Sequence, residues 1–154
     1  GVKRLVMTSS VAAIAYGHGR GKQRFTEDDW TDVTSPDAYA YVKSKTIAER
    51  AARDWMAAHG VGMEFVTVNP SLVLGPLMTG DFSTSLEAIK KLLEGSLPGL
   101  PNFGFAVVDV RDVADLHVRC LTAPDLDGER FIAAGRFLMM TEVAAILRAG
   151  LGQD

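Results

Sequence analysis

The sequence holds a single cysteine, Cys120, and three histidines. One thiol excludes an internal disulfide and a multi-cysteine metal site, and it suits a reducing, cytoplasmic setting. His18, His59 and His117 stand far apart with no ligand spacing, so no metal centre is expected. No apolar run nears the ~20 residues that cross a bilayer, and no basic-then-apolar stretch opens the chain. Neither a membrane nor export is expected. A net charge of −3 offers no basic surface for nucleic acid. What is present is ordinary for one globular domain: 154 residues, 47% hydrophobic and 23% charged. Such a chain buries about two-thirds of its unfolded surface.

Residues 4–9 form a short apolar run that ends in small polar residues, as buried parallel strands do. Residues 11–21 are small and glycine-rich and read as loop, and residues 26–30 as one helical turn. Ser35-Pro36-Asp37 carries start signals for a helix over about residues 38–59, which Gly60 stops. Residues 64–68 read as a strand broken at Asn69-Pro70. Further helices are predicted over 85–94, 113–122 and 141–149, the last capped by Thr141. Arg111 and Asp112 read as the cap of the helix from Val113. Short strands are predicted over 106–108 and 129–133. Strands alternating with helices predict an α/β fold with a parallel sheet. Such sheets bind ligands beyond the carboxyl ends of their strands. Here those ends are Thr8-Ser9-Ser10 and Asn69-Pro70-Ser71.

Tyr41-Val42-Lys43-Ser44-Lys45 sets a tyrosine and a lysine four apart on a helix, one above the other on one face. A neighbouring ammonium favours the ionised phenol, which suits the pair to proton exchange with an alcohol or a developing alkoxide. Tyr39 and Lys43 share the spacing, so the match alone is weak. Helical phase separates them. Lys43 falls in line with Arg50 and Asp54, a solvated stripe. Lys45 falls in line with Ala48, Ala52 and Met56, an apolar stripe expected to pack inward. Tyr41 and Lys45 are therefore the pair on the buried side. Ser10 ends a strand about 30 residues earlier, and a serine there can polarise a reacting carbonyl.

Four segments in this order resemble the extended short-chain dehydrogenases/reductases, of the NAD-dependent epimerase/dehydratase superfamily. They are Leu5-Val6-Met7-Thr8-Ser9-Ser10, Tyr41 to Glu49, Asn69 to Pro76 and Val108-Asp109-Val110-Arg111-Asp112-Val113-Ala114. The branch resembled holds dihydroflavonol reductases, cinnamoyl-CoA reductases and microbial aldehyde or ketone reductases. The resemblance implies a Rossmann-type sheet and hydride transfer between a nicotinamide dinucleotide and a ketone or aldehyde. Ser10 would be the catalytic serine, Tyr41 the general acid/base, and Lys45 the ribose ligand that tunes Tyr41. Thr8, Pro70, Ser71, Leu72, Val73 and Ser85 fall where relatives contact the cofactor, which the resemblance makes NADP(H) rather than NAD(H). A homodimer through the helix of Tyr41 is also in keeping with the family.

Val11-Ala12 follows Ser10 where sugar-nucleotide dehydratases carry an acidic pair, which argues against dehydration. Phe103-Gly104-Phe105-Ala106-Val107 has no cation where epimerases hold a diphosphate. A small carbonyl substrate fits better. The rivals are a sugar-nucleotide epimerase with the same three residues and a catalytically idle dinucleotide sensor. The glycine-rich turn that seats the pyrophosphate is missing, and Gly17-x-Gly19-x-Gly21 has the wrong place and spacing for it. Both chain ends read as cut. The expectation is the second half of a Rossmann-like domain, with residues 1–70 and 106–135 as core. Residues 71–105 and 136–154 would belong to the substrate region, and activity to a full-length parent. His18 and Arg20 read as solvated loop, His59 as a helix-end dipole contact, Trp30 and Trp55 as packing, and Cys120 as inert.

Overall fold

The computed structural model describes residues 1–19, 21–78, 80, 84–96 and 99–152. Along the chain, β1 (Arg4–Thr8) leads through a 3-10 turn at Val11–Ala13 and a long loop to α1 (Ala40–His59). β2 (Glu64–Pro70) and β3 (Leu72–Leu74) follow, then α2 (Thr84–Leu93), β4 (Gly104–Asp109) and α3 (Val110–Thr122). β5 (Arg130–Ala133), β6 (Phe137–Met139) and α4 (Met140–Leu151) come last. β1, β2 and β5 make a parallel sheet in that order. In a second sheet β3 pairs with β4 in parallel, and β6 joins β4 antiparallel. The α/β architecture with a parallel sheet is the one the alternation of elements predicts.

Alternation along the strands gives the first sheet two unlike faces. Val66 and Val68 of β2, Val6 of β1 and Phe131 and Ala133 of β5 pack with Val113, Leu116 and Cys120 of α3. That face is apolar. The side chains between them turn toward α1, and they include Thr67, Asn69 and Arg130, all buried. Thus β2 is buried on both sides, with a hydrocarbon core below and a polar one above.

Several boundaries differ from expectation. β2 runs through Asn69 and Pro70, because the missing proline N–H falls at the last ladder position, where chain pairing ends at Ala133. Residues 26–30 make a turn, closed by Asp29 N–H to Thr26 O, and no helix. Ser35 closes a separate turn through Ala38 N–H, so α1 starts two residues later, with Tyr39 in the extended cap position. α3 starts at Val110, capped by Asp109 through Arg111 N–H at 2.8 Å; Arg111 and Asp112 lie in its first turn. α4 starts at Met140, and Glu142 rather than Thr141 binds the cap amide, Met139 N–H, at 2.9 Å. β3 and β6 are unforeseen, being three residues each.

Candidate active site

The candidate site lies where the ends of β1 and β2 meet the start of α1. Ser9 N–H continues the ladder to Val68 O at 2.7 Å, then the chain turns through Val11–Ala13. Ser10 caps that turn: its Oγ accepts from Ala12 N–H at 3.1 Å. Ala12, Ala38 and Val42 form a small buried cluster joined by Tyr16. Thr46 Oγ1 adds a hydrogen bond to Ala12 O at 3.4 Å. Val42 and Thr46 are the chain neighbours of Tyr41 and Lys45. The turn after Ser10 therefore leans on the two helical turns that carry the tyrosine and the lysine.

Tyr41, Lys45 and Ser10 share this neighbourhood without hydrogen bonds to one another among the described residues. The Tyr41 ring is half exposed and stacks on Tyr39, centroids 6.4 Å apart at 21°. Tyr39 in turn meets Tyr16 edge-on at 5.9 Å. The inward apolar stripe expected through Lys45, Ala48, Ala52 and Met56 needs correction. Ala48 is exposed, Lys45, Ala52 and Met56 are half-buried, and the fully buried residues are Val42, Thr46 and Glu49. Tyr41 is thus not on the buried side. The face turned to the sheet meets Thr67, Asn69 and Arg130, and so it takes polar partners rather than hydrocarbon.

The other candidates are spread around the same tips. Thr8 Oγ1 lies 2.7 Å from His117 Nε2 on the α3 side. His117 Nδ1 is 2.7 Å from Val113 O, so in the neutral ring Nε2 is left to accept from Thr8. Pro70 is buried at the end of β2, and Ser71 N–H donates to Ala133 O at 2.9 Å. Leu72 and Val73 open β3, and Val73 packs on the α3 side of the core. Ser85 is half-buried in the first turn of α2. His18 Nε2–H donates to Ile14 O, and the ring packs on Phe25; Arg20 lies outside the described residues. His59 is the last residue of α1 and binds Trp55 O at 3.1 Å. Trp55 is exposed and stacks on His59, so it is not core packing. Trp30 does pack, under the guanidinium of Arg130 at 3.9 Å. Cys120 is buried, which pushes its thiol up.

Sequence reasoning missed a buried polar network centred on Glu49. The carboxylate accepts from Ser9 Oγ, Asn69 Nδ2 and Arg130 Nε at 2.5, 2.8 and 2.7 Å. Arg53 Nε and Thr67 Oγ1 approach it at 3.3 Å. Arg130 also donates to Glu27 O and Asp29 O, and Arg53 to Gly128 O. Two signals pointed to it. Glu49 is in phase with buried Val42, and polar Thr67 and Asn69 alternate with Val66 and Val68 in β2.

Free donors remain at the tips. Ser71 Oγ is buried with no hydrogen-bond partner. Lys45 has no hydrogen bond or ion pair among the described residues. A hydroxyl and an ammonium of this kind suit the ribose hydroxyls and carboxamide of a nicotinamide nucleotide. The donor set fits that end of the cofactor. Two cavities lined by described residues lie away from Tyr41 and Lys45: about 310 Å³ beside Asp109, Leu116 and Gly135, and about 380 Å³ beside Met56, Val61 and Phe65.

Residues 1–134 match the description of the NAD dependent epimerase/dehydratase family. The chain is 36% identical over 151 residues to cinnamoyl-CoA reductase CAD2 of Medicago truncatula, covering 96% of this chain and 45% of that protein. It is 38% identical to cinnamoyl-CoA reductase 2 of Arabidopsis thaliana, covering 95% and 44%. Its fold superposes on yeast methylglyoxal/isovaleraldehyde reductase Gre2, solved with NADPH, with a TM-score of 0.86 at 28% identity. That match covers 98% of this chain and 48% of the yeast protein. The chain thus spans about half the length of the relatives it matches. No helix among the described residues is long and apolar enough to cross a membrane. By the match over most of its length, the chain belongs to the NAD-dependent epimerase/dehydratase family.

Proposed function

We propose that this chain carries the Ser-Tyr-Lys set of an NADP(H)-dependent reductase of ketones or aldehydes, acting in the full-length protein. The observation that carries the reading is the packing of the turn after Ser10 on Val42 and Thr46, beside Tyr41 and Lys45. When bound, the nicotinamide supplies the hydride. The chain's own part is to hold the carbonyl oxygen and to move one proton. Ser10 Oγ accepts from Ala12 N–H, which leaves its O–H to donate to the substrate oxygen. Tyr41 Oη gives its proton to that oxygen as negative charge develops there. Lys45 Nζ holds the ribose hydroxyls and keeps a positive charge near the phenol. Pro70 to Val73, with Thr8 and Ser85, would border the nicotinamide half of the cofactor. Residues 71–105 and 136–154 would contribute to the substrate side. A homodimer through α1 belongs to the same reading, and Ile47 and Trp55 are exposed on that helix.

NADPH, rather than NADH, is supported by the yeast reductase solved with it. The sugar-nucleotide reading finds no cation along Phe103 to Val107. The test is product analysis with the full-length protein. Isovaleraldehyde and NADPH should give the alcohol, with one NADPH oxidised per product and faster turnover than with NADH. Epimerised sugar from UDP-glucose, without net cofactor oxidation, would overturn the reading.

A further inference from the structure

Glu49 stands one helical turn beyond Lys45 and two beyond Tyr41, with no exposed surface. Its two oxygens face different neighbours. Oε1 accepts from Arg130 Nε, Arg53 Nε and Thr67 Oγ1, and the two arginines are tied to backbone carbonyls of Glu27, Asp29 and Gly128. Oε2 accepts from Ser9 Oγ at 2.5 Å and Asn69 Nδ2 at 2.8 Å, both at strand tips. Asn69 Nδ2 is shared, because it also donates to Ser10 O at 3.1 Å. One carboxylate oxygen thus reaches the backbone on either side of the Ser9–Ser10 peptide, through a hydroxyl and through an amide.

We propose that Glu49 is a positioning residue of this site: its Oε2, through Ser9 and Asn69, fixes Ser10 relative to Tyr41 and Lys45 on the same helix. The proposal rests on the Ser-Tyr-Lys reading above. Tyr41, Lys45 and Glu49 ride on one continuous helix, so anchoring Glu49 to the tips also sets how far the phenol stands from the serine. Reaction rates respond steeply to such spacing, and a shift of about 1 Å costs up to about a hundredfold. The arginines on Oε1 serve a different end. They bind the helix to β5 and its loops, a role that concerns folding.

The two roles separate by substitution. Ser9→Ala deletes the contact of Oε2 with β1 and leaves both arginine pairs intact. Glu49→Gln keeps the shape but turns an amide N–H₂ either toward the arginines or toward the Asn69 amide, donor against donor. In the full-length protein, with isovaleraldehyde and NADPH as probes, Ser9→Ala should stay folded with a melting temperature lowered by the lost buried hydrogen bond, and should keep the wild-type NADPH affinity. Its kcat should fall about tenfold or more, with KM within about twofold. The backbone amide resonance of Ser10, read by NMR without cofactor, should shift in both variants. A Ser9→Ala protein with wild-type kcat would overturn the proposal, even if Glu49→Gln fails to fold. So would a Glu49→Gln protein whose rate falls only with its folded fraction. Tyr41→Phe, assayed alongside, tells the two failures apart. Full activity there removes the Ser-Tyr-Lys reading and this proposal with it. A large loss there, with Ser9→Ala unaffected, removes the proposal alone.

Discussion

At Glu49 two opposing effects meet. Burial pushes its carboxyl up, but hydrogen bonds from Ser9 and Arg130, the Arg130 charge and the Asn69 amide outweigh it, so Glu49 ionises below its ordinary range. The unfolded chain then takes up a proton at higher pH than the folded one. The stabilisation is present above the ordinary carboxylate range and is lost as pH falls through the lower folded value. Melting of the protein from about pH 6 down to about pH 3 should show a fall that Glu49→Gln partly flattens. A parallel pair of curves would contradict this. Removing the acceptor along with the charge is costlier, since Glu49→Ala leaves two guanidiniums without their partner and should cost about 3–5 kcal/mol in urea unfolding. The exposed Arg119–Asp115 pair, at 2.6 Å one turn apart on α3, adds little by comparison, because solvent screens it. Burial, not distance, decides between them. Tyr16 shows the opposite shift. Burial, then Tyr39 and Tyr41, push its phenol up to about 12, so it stays neutral and serves as packing behind Ser10.

At the scale of elements, α3 starts on a side-chain cap. Asp109 accepts Arg111 N–H and pairs with the Arg111 guanidinium, which together hold its carboxyl at about 2. Asp109→Ala should lower the midpoint of urea unfolding, and Asp109→Asn should lower it much less, because an amide oxygen still caps. Equal losses would mean that charge, not the cap, matters. The rhythm of strands and helices was legible because β1, β2 and α1 carry strong local signals: an apolar run, a second one, and a helix stopped by Gly60. β3 and β6 were not, because three residues cannot establish a period, and their partner β4 lies far from both in sequence. Of the candidate site, the Tyr41–Lys45 spacing and the strand end at Ser10 were legible in the sequence, and their expected roles came from the family resemblance. Glu49, Arg53 and Arg130 were not, since charged residues on a helix or strand end read as solvated until a partner is known. Phase alone also misjudged α1, whose inward face holds Val42, Thr46 and Glu49 rather than the Lys45 stripe.

Across the whole molecule, one sheet carries an apolar face against α3 and a polar face against α1, and the candidate site grows from the polar side. Cys120 lies on the apolar side at 1% exposure. A thiol reagent should therefore label it only as the protein unfolds, with a rate that tracks urea concentration; immediate labelling in the native state would mean that α3 is loosely docked. Two tyrosine–lysine pairs start α1, and the proposed proton transfer uses the second. The kcat of Tyr41→Phe against that of Tyr39→Phe, in the full-length protein with NADPH and isovaleraldehyde, puts this to the most direct test. Loss of the Tyr41 hydroxyl should lower kcat by about 10²–10⁴, while Tyr39→Phe stays close to wild type. The reverse order, or full activity in both, would contradict the account.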